Sequence, residues 1–259
     1  MAATARGAKR PSVIMVHGAF CGGWAFDAFR QPFEAVGHAV LTPDLAGKGG
    51  ASRGSASMAD FAANIADLIR AQDQAPILIG HSLGGLAAQM AAAKAPVASL
   101  ILLAPSAPWG VSGGSMEEAV SAVSLYALGP FWLQAVEPDY TIARTYSLDR
   151  LDKAARKQVF DRMVPESGRA LWETLNWWLD PFMTTSVAAG RIAAPVLAVA
   201  GGKDLVHPPA TVARTAERLG GELKVFDAMS HWLLSEPGWD EVAQTCLTWL
   251  DRQHLPSAA

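Results

Sequence analysis

The sequence is poor in the residues that mark several classes of protein. Cysteine occurs only at Cys21 and Cys246, and no Cys/His cluster has metal-ligand spacing, so we expect neither a disulfide framework nor a metal site. Charged residues make up 17% of the chain, and the formal net charge is −3. Because no run of Lys or Arg accompanies this balance, nucleic acid is not an expected partner.

Long hydrophobic runs of the kind that cross a membrane are also missing. The uncharged stretches 74–93 and 95–116 have about the length of a spanning helix, but Gly, Ser, Pro or His interrupts each of them. The basic N-terminal residues have no apolar signal-peptide core behind them. We therefore expect buried core rather than membrane, and a cytoplasmic protein. The sequence leaves both a monomer and a homodimer open.

Short apolar runs alternate with helical patterns along most of the chain. The runs are Val13–Val16, Ala39–Leu41, Ile77–Ile79, Leu100–Leu103, Val196–Ala200 and Leu223–Phe226. Such runs are typical of strands covered on both faces, so the alternation predicts an α/β fold with a mostly parallel sheet flanked by helices. Ser57 and Asp60 resemble a capping box at a helix start, and the helical spacing around Cys246 predicts that this thiol is packed in the core.

The alternation of predicted strands and helices stops near residue 104, after the predicted strand Leu100–Leu103, and resumes near residue 195. Between them we find helical patterns and no convincing strand, with Ser147 and Ser167 as candidate helix N-caps. We therefore predict a core domain formed by residues 1–106 and 191–259, and a helical cap formed by residues 107–190 that is inserted between two strands.

Gly80-His81-Ser82-Leu83-Gly84 stands at the junction of a predicted strand and a predicted helix. Gly-x-Ser-x-Gly in this context is the nucleophile elbow, a turn so tight that glycines are needed two residues to either side of the serine. The turn exposes the serine hydroxyl at a helix N-terminus. Ser82 is accordingly the candidate nucleophile; the alternative is a glycine-rich turn without catalytic meaning.

A serine hydroxyl needs a base, and the base needs an orienting acid. In this architecture the chain order is Ser, then Asp or Glu, then His, with each group beyond the carboxyl end of a strand. Asp204 and His231 follow the last two predicted strands and are the chosen acid and base. Asp227 is the weaker alternative for the acid, and His207 is interpreted as a loop residue.

A tetrahedral intermediate also needs two backbone N–H groups aimed at its oxyanion. One is expected from Leu83, the residue after the nucleophile. The other is expected from the glycine-rich loop after the first strand, where Ala19 is the first choice and Phe20 the second. We assign His17, in the same loop, a structural role.

With these motifs in place, the chain resembles the α/β-hydrolase family over nearly its whole length. The resemblance is carried by HGAF, PDLAGKG (Asp44, Gly47, Gly49), GHSLGG, GGKD and SHW. The compact size and HGAFCGGW resemble the small esterases related to plant methylesterases and hydroxynitrile lyases. In this family, Asp replaces the serine in members that act on epoxides or carbon–halogen bonds, and the lyases carry Lys after the histidine. Ser82 and Trp232 stand at those positions here, so the resemblance favours a serine esterase.

The predicted cap is rich in large aromatic side chains, which would make an apolar substrate pocket. The candidate pocket residues are Trp109, Phe131, Trp132, Trp178 and Trp232. We therefore expect a cofactor-free serine hydrolase that cleaves a neutral, hydrophobic carboxylic ester through an acyl-enzyme, with water as the acyl acceptor. The same triad also supports thioester, lactone or C–C bond hydrolysis and perhydrolysis. A receptor that binds its ligand without turnover is the alternative from another class.

Overall fold

The structure, a computed structural model, describes residues 10–45, 55–112, 123, 126 and 129–254. The strands in chain order are β1 (Val13–Val16), β2 (Val40–Leu41), β3 (Ile77–His81), β4 (Ser99–Leu103), β5 (Ala135–Val136), β6 (Glu166–Ser167), β7 (Val196–Gly201) and β8 (Glu222–Phe226). Six of them pair in parallel in the order β2-β1-β3-β4-β7-β8. All six apolar runs are strands of this sheet, which confirms the predicted α/β fold.

Helices connect the strands and cover the sheet. The α-helices whose bounds lie within the described residues are, in chain order, α1 (Gln31–Ala35), α2 (Met58–Arg70), α3 (Leu83–Ala92), α4 (Tyr140–Ile142), α5 (Lys153–Phe160), α6 (Gly168–Leu175), α7 (Pro209–Arg218) and α8 (Trp239–His254). The capping box predicted for α2 is present, because Ser57 Oγ accepts the Asp60 N–H and the Asp60 carboxylate accepts the Ser57 N–H. None of these helices in the described part of the chain is long and apolar enough to cross a membrane.

The four inner strands β1, β3, β4 and β7 are buried on both faces, which explains why they lack polar alternation. Successive side chains of a strand point to opposite faces. Ile14 and Val16 accordingly pack in the core cluster that contains α2, α3 and α7, and Val13 and Met15 pack in the cluster that contains α8. Cys246 is fully buried in the second cluster, as predicted, and burial raises the pKa of its thiol to about 12.

The segment between β4 and β7 contains more than the helices that the sequence predicted. A short antiparallel ribbon pairs β5 with β6, and two-residue strands are too short to leave an alternating pattern. Ser167 caps α6 as predicted, since its hydroxyl accepts the Ala170 N–H. The cap predicted at Ser147 is wrong, because this residue lies in a π-helical turn and Asp152 caps α5 instead.

The carboxyl ends of the parallel strands bring four loops to one edge of the sheet. One of these loops, which follows β8 and carries His231, is supported from within by Glu236. This residue is fully buried, and its Oε1 accepts the Ser230 N–H at 2.6 Å. Its Oε2 has no hydrogen-bond partner among the described residues. Burial raises the pKa of Glu236 to about 7, and the nearby negative charge of Asp149 acts in the same direction.

This raised pKa predicts a pH-dependent stability. The folded state keeps the Glu236 proton up to about pH 7, whereas a carboxyl group with the ordinary pKa of 4.5 loses it earlier in the unfolded state. The free energy of unfolding therefore falls as the pH rises from about 4.5 to about 7. Glu236→Gln cannot ionise, so we expect its Tm to exceed that of the wild type by roughly 5 °C at pH 8.

Thermal unfolding followed by circular dichroism at pH 5 and pH 8 measures this difference. At pH 5 the two proteins should have nearly equal Tm values. The matched control is Glu241→Gln, which makes the same chemical change at an exposed glutamate on the adjacent helix α8. A Tm difference for Glu236→Gln that stays the same at both pH values would contradict the interpretation.

Candidate active site

Ser82 lies between β3 and α3 in a backbone conformation that is rare for a residue with a side chain. Its φ is 52° and its ψ is −125°. The turn is possible because its flanking glycines have no side chains. A Cβ at Gly84 would lie 2.2 Å from the His17 carbonyl oxygen, and one at Gly80 would lie 2.6 Å from the Gly84 carbonyl oxygen. Strain of this kind persists only where the surroundings enforce it, and it is the geometry expected of a nucleophile elbow.

The neighbouring strand β4 holds this turn in place. The Ser82 N–H donates to the Leu103 carbonyl at 3.0 Å, and the Ser106 N–H donates back to the Ser82 carbonyl at 2.9 Å. Both peptide groups of Ser82 are therefore bound. The side chain is left as the part of the residue that faces the adjacent cavity.

Ser82, His231 and Asp204 form a continuous hydrogen-bonded line. The Ser82 hydroxyl lies 3.0 Å from His231 Nε2, to which it donates, and His231 Nδ1–H donates to Asp204 Oδ2 at 2.9 Å. All three residues are buried, although they lie on three different loops. The geometry places the imidazole where it can take the hydroxyl proton while the carboxylate orients it.

Asp204 is arranged to remain ionised. Burial by itself opposes its charge, but the adjacent His231 and the hydrogen bonds to the carboxylate hold its pKa below the ordinary value. Its second oxygen, Oδ1, accepts the N–H groups of Val206 at 2.8 Å and His207 at 2.9 Å. These bonds fix the orientation of the carboxylate, so that Oδ2 is directed at His231.

Two further histidines fix the loops around this line without belonging to it. His81 Nε2–H donates to the His231 carbonyl at 3.0 Å, and burial lowers the pKa of His81 to about 3, so it acts as a neutral donor. Sequence reasoning missed this contact, because it joins residues far apart in the chain. His17 accepts the Leu45 N–H at 3.1 Å through Nε2, which confirms the structural role expected for it. Gly47 and Gly49 of the PDLAGKG motif lie outside the described residues.

The candidate oxyanion donors approach Ser82 from two sides. Leu83 is the first residue of α3, in the turn whose N–H groups have no partner within the helix. Ala19 follows Gly18, and a Cβ added to Gly18 would lie 2.9 Å from Ser82 Cβ, so the loop passes close to the serine. The Phe20 N–H already donates to Glu166 Oε2 at 3.1 Å, which favours Ala19 over Phe20 as the second donor. Ala19 and Leu83 therefore remain the candidate pair.

A cavity of about 450 Å³ opens beside Ser82 and His231. Among the predicted pocket residues, Trp178 and Trp232 line it. Trp177 lines it as well and was not predicted. Other apolar side chains in its wall are Val111, Ile142, Met163, Leu171, Leu175 and Val206. Glu137 and Asp139 contribute carboxylates, and no Lys or Arg of the described residues lines the cavity.

The other three predicted pocket residues do not line this cavity. Phe131 is fully buried and packs edge-on against Trp132, so it belongs to the interior of the β4–β7 segment. Trp132 is partly exposed to solvent. Trp109 donates its indole N–H to the Asp180 carbonyl and contacts the cavity residue Trp177 edge-on, which places it behind the wall. Residue type alone did not reveal which face of the segment each ring would take.

Sequence comparison finds relatives that match part of this chain. A pyrethroid hydrolase of Sphingobium wenxiniae is 36% identical over 96 residues, which are 35% of this chain and 34% of that protein. Salicylic acid-binding protein 2 of Nicotiana tabacum is 33% identical over 109 residues, or 39% of this chain and 42% of that protein. The matches thus span about a third to two fifths of these relatives.

Structural comparison extends the likeness to nearly the whole chain. A methylesterase from Arabidopsis superposes with a TM-score of 0.70 and 16% sequence identity, covering 94% of this chain and 100% of that one. The resemblance to compact esterases related to plant methylesterases is thereby confirmed at the level of the fold. The alpha/beta hydrolase family model matches residues 13–245. The chain therefore belongs to the alpha/beta hydrolase family.

Proposed function

We propose that this protein is a serine hydrolase that cleaves neutral, hydrophobic carboxylic esters through an acyl-enzyme intermediate. The observation that carries the proposal is the hydrogen-bonded line Ser82–His231–Asp204, which ends at a mostly apolar cavity. The sequence similarity to a pyrethroid hydrolase supports the same class of reaction.

The reaction follows from the positions of these groups. Ser82 Oγ attacks the ester carbonyl as its proton passes to His231 Nε2, and Asp204 stabilises the imidazolium that forms. The N–H groups of Ala19 and Leu83 donate to the oxyanion of the tetrahedral intermediate. His231 then protonates the leaving alcohol. Water, activated by the same imidazole, hydrolyses the acyl-enzyme and restores Ser82.

The cavity supplies the argument for the substrate. Its wall is largely apolar, and among the described residues its acidic side chains are those of Glu137 and Asp139. Burial of apolar surface therefore favours hydrophobic esters, and the carboxylates disfavour anionic ones. In this proposal the residues 107–190 are a cap over the core formed by 1–106 and 191–259, since residues from both parts line the cavity.

Removing the nucleophile is the most direct test of the residue assignment. We expect Ser82→Ala to lower kcat for a short p-nitrophenyl ester by about 10⁴-fold or more, because no other hydroxyl occupies the elbow. The Tm should stay nearly unchanged. Ser99→Ala is the matched control, since Ser99 is a fully buried serine at the start of β4, away from the cavity. Hydrolysis that persists in Ser82→Ala would show that the nucleophile is wrongly assigned.

A substrate panel tests the reaction class. Steady-state hydrolysis of matched ester, thioester, lactone and vinylogous diketone substrates is compared by kcat/KM, and we expect the ester to be preferred. A protein that reacts with a fluorophosphonate but completes only one event on every substrate would instead be a receptor.

The cavity residue Trp178 should affect substrate binding rather than chemistry. Its side chain lines the cavity although the residue is 65% exposed, so a hydrophobic substituent of the substrate would cover it. We expect Trp178→Ala to raise KM for a long-chain p-nitrophenyl ester by roughly 10-fold with little change in kcat, as lost apolar contact implies. Trp132→Ala, outside the cavity, is the control and should change neither constant. Equal effects of both substitutions on KM would contradict the placement of the pocket.

A further inference from the structure

The loop after β1 contains a residue in a strained backbone conformation, which has to be stabilised by contacts with the rest of the protein. Phe20 has a φ of 62°, in the left-handed region that residues with side chains rarely adopt. Such a residue costs on the order of 1 kcal/mol and persists where its surroundings enforce it. Phe20 directly follows Ala19, the candidate oxyanion donor, and the peptide group that joins them carries the Phe20 N–H. A bond to this N–H therefore holds the chain one peptide group away from the Ala19 N–H.

Both peptide groups of Phe20 are bound by one stretch of the β4–β7 segment. The Phe20 N–H donates to Glu166 Oε2 at 3.1 Å. The Val164 N–H donates to the Phe20 carbonyl at 2.9 Å. The partners lie more than 140 residues away along the chain, at the start of β6. The strained loop is therefore held from the segment that covers the cavity, and not by its own neighbours.

Glu166 is itself fixed in place. It is 1% exposed, and its Oε1 accepts the Ser167 N–H at 2.8 Å. Its strand pairs with β5, where Val136 lies opposite. Ser167 in turn donates its hydroxyl to the Ala56 carbonyl at 2.6 Å. A carboxylate with both oxygens accepting backbone N–H groups, on a paired strand, is a rigid anchor.

We infer that Glu166 is a positioning residue for the oxyanion hole. It acts indirectly, by holding Phe20 so that the N–H of the preceding Ala19 points at the reacting carbonyl. This inference rests on the proposed function. The carboxylate suits the role because it offers one oxygen to each of two N–H groups. An amide side chain has a single acceptor oxygen, so Gln leaves one of these N–H groups facing an NH₂ donor.

The chain provides a matched control at Glu173. This glutamate is 5% exposed on α6, in the same segment, and its Oε2 accepts the Met58 N–H at 2.8 Å. It joins the β4–β7 segment to α2 and has no bond to the loop after β1 among its described hydrogen bonds. Glu166→Gln and Glu173→Gln thus make the same chemical change in two buried anchors, of which one touches the Phe20 amide.

The experiment compares these two variants with the wild type. For Glu166→Gln we expect kcat to fall by 10-fold or more with KM changed less than 3-fold, because loss of one oxyanion donor acts on the transition state. The inhibition constant of a trifluoromethyl ketone, which forms a tetrahedral oxyanion on the serine, should rise by a similar factor. Glu173→Gln should keep kcat and this inhibition constant within 2-fold, even if both variants lose similar stability.

Hydrogen exchange of the peptide that contains Phe20 shows whether the bond has been lost. Faster exchange at Phe20 in Glu166→Gln together with an unchanged kcat would overturn the inference, and so would an unchanged inhibition constant for the ketone. If Glu166→Gln does not fold, Glu166→Asp is used, since its shorter side chain keeps the charge but cannot reach both N–H groups. A wild type without esterase activity contradicts the proposed function, whereas an active wild type with an equally active Glu166 variant contradicts only this inference.

Discussion

The backbone turn at Ser82 is the constraint on which the rest of the site depends. A residue at φ 52° is unfavourable. The chain keeps it because β4 and the loop after β4 bind both peptide groups of Ser82, and because the glycines on either side admit close backbone contacts. A backbone held in this way directs the Ser82 side chain towards the cavity, where its hydroxyl meets His231 Nε2. The sheet therefore sets the position of Ser82, and the fold has to bring the imidazole of His231 and the carboxylate of Asp204 to it.

Parallel strand topology brings those groups together. Asp204 and His231 follow β7 and β8, while Ser82 follows β3, and the carboxyl ends of all three strands lie at one edge of the sheet. A further set of contacts then fixes their orientation. His81 binds the carbonyl of His231, Glu236 supports the loop that carries it, and two backbone N–H groups orient Asp204. These contacts limit motion in a site whose proposed chemistry requires hydrogen-bond distances.

Sequence reasoning succeeded where local pattern and chain order decide the structure. The four inner strands were predictable because burial on both faces leaves uninterrupted apolar runs, and the turn at Ser82 was predictable because it requires particular glycines. The placement of Asp204 and His231 beyond the ends of β7 and β8 was predictable from chain order, and their catalytic roles belong to the proposal. Long-range packing was not predictable in this way. Phe131 and Trp132 are large aromatics in the expected segment, yet the direction of each ring depends on how short helices and a two-strand ribbon pack. The bond between the Phe20 N–H and Glu166, which is distant in the chain, was not predictable from the local sequence either.

The central claim is that an acyl group is transferred from the substrate to Ser82. Its most direct measurement is the mass of the protein quenched by acid during turnover of a slowly deacylated p-nitrophenyl ester, followed by peptide mapping. We expect a mass increase equal to one acyl group, located on the peptide that contains Gly80-His81-Ser82-Leu83-Gly84, together with a burst of p-nitrophenol equal to the enzyme concentration. Turnover with no covalent adduct, or an adduct on another residue, would contradict it.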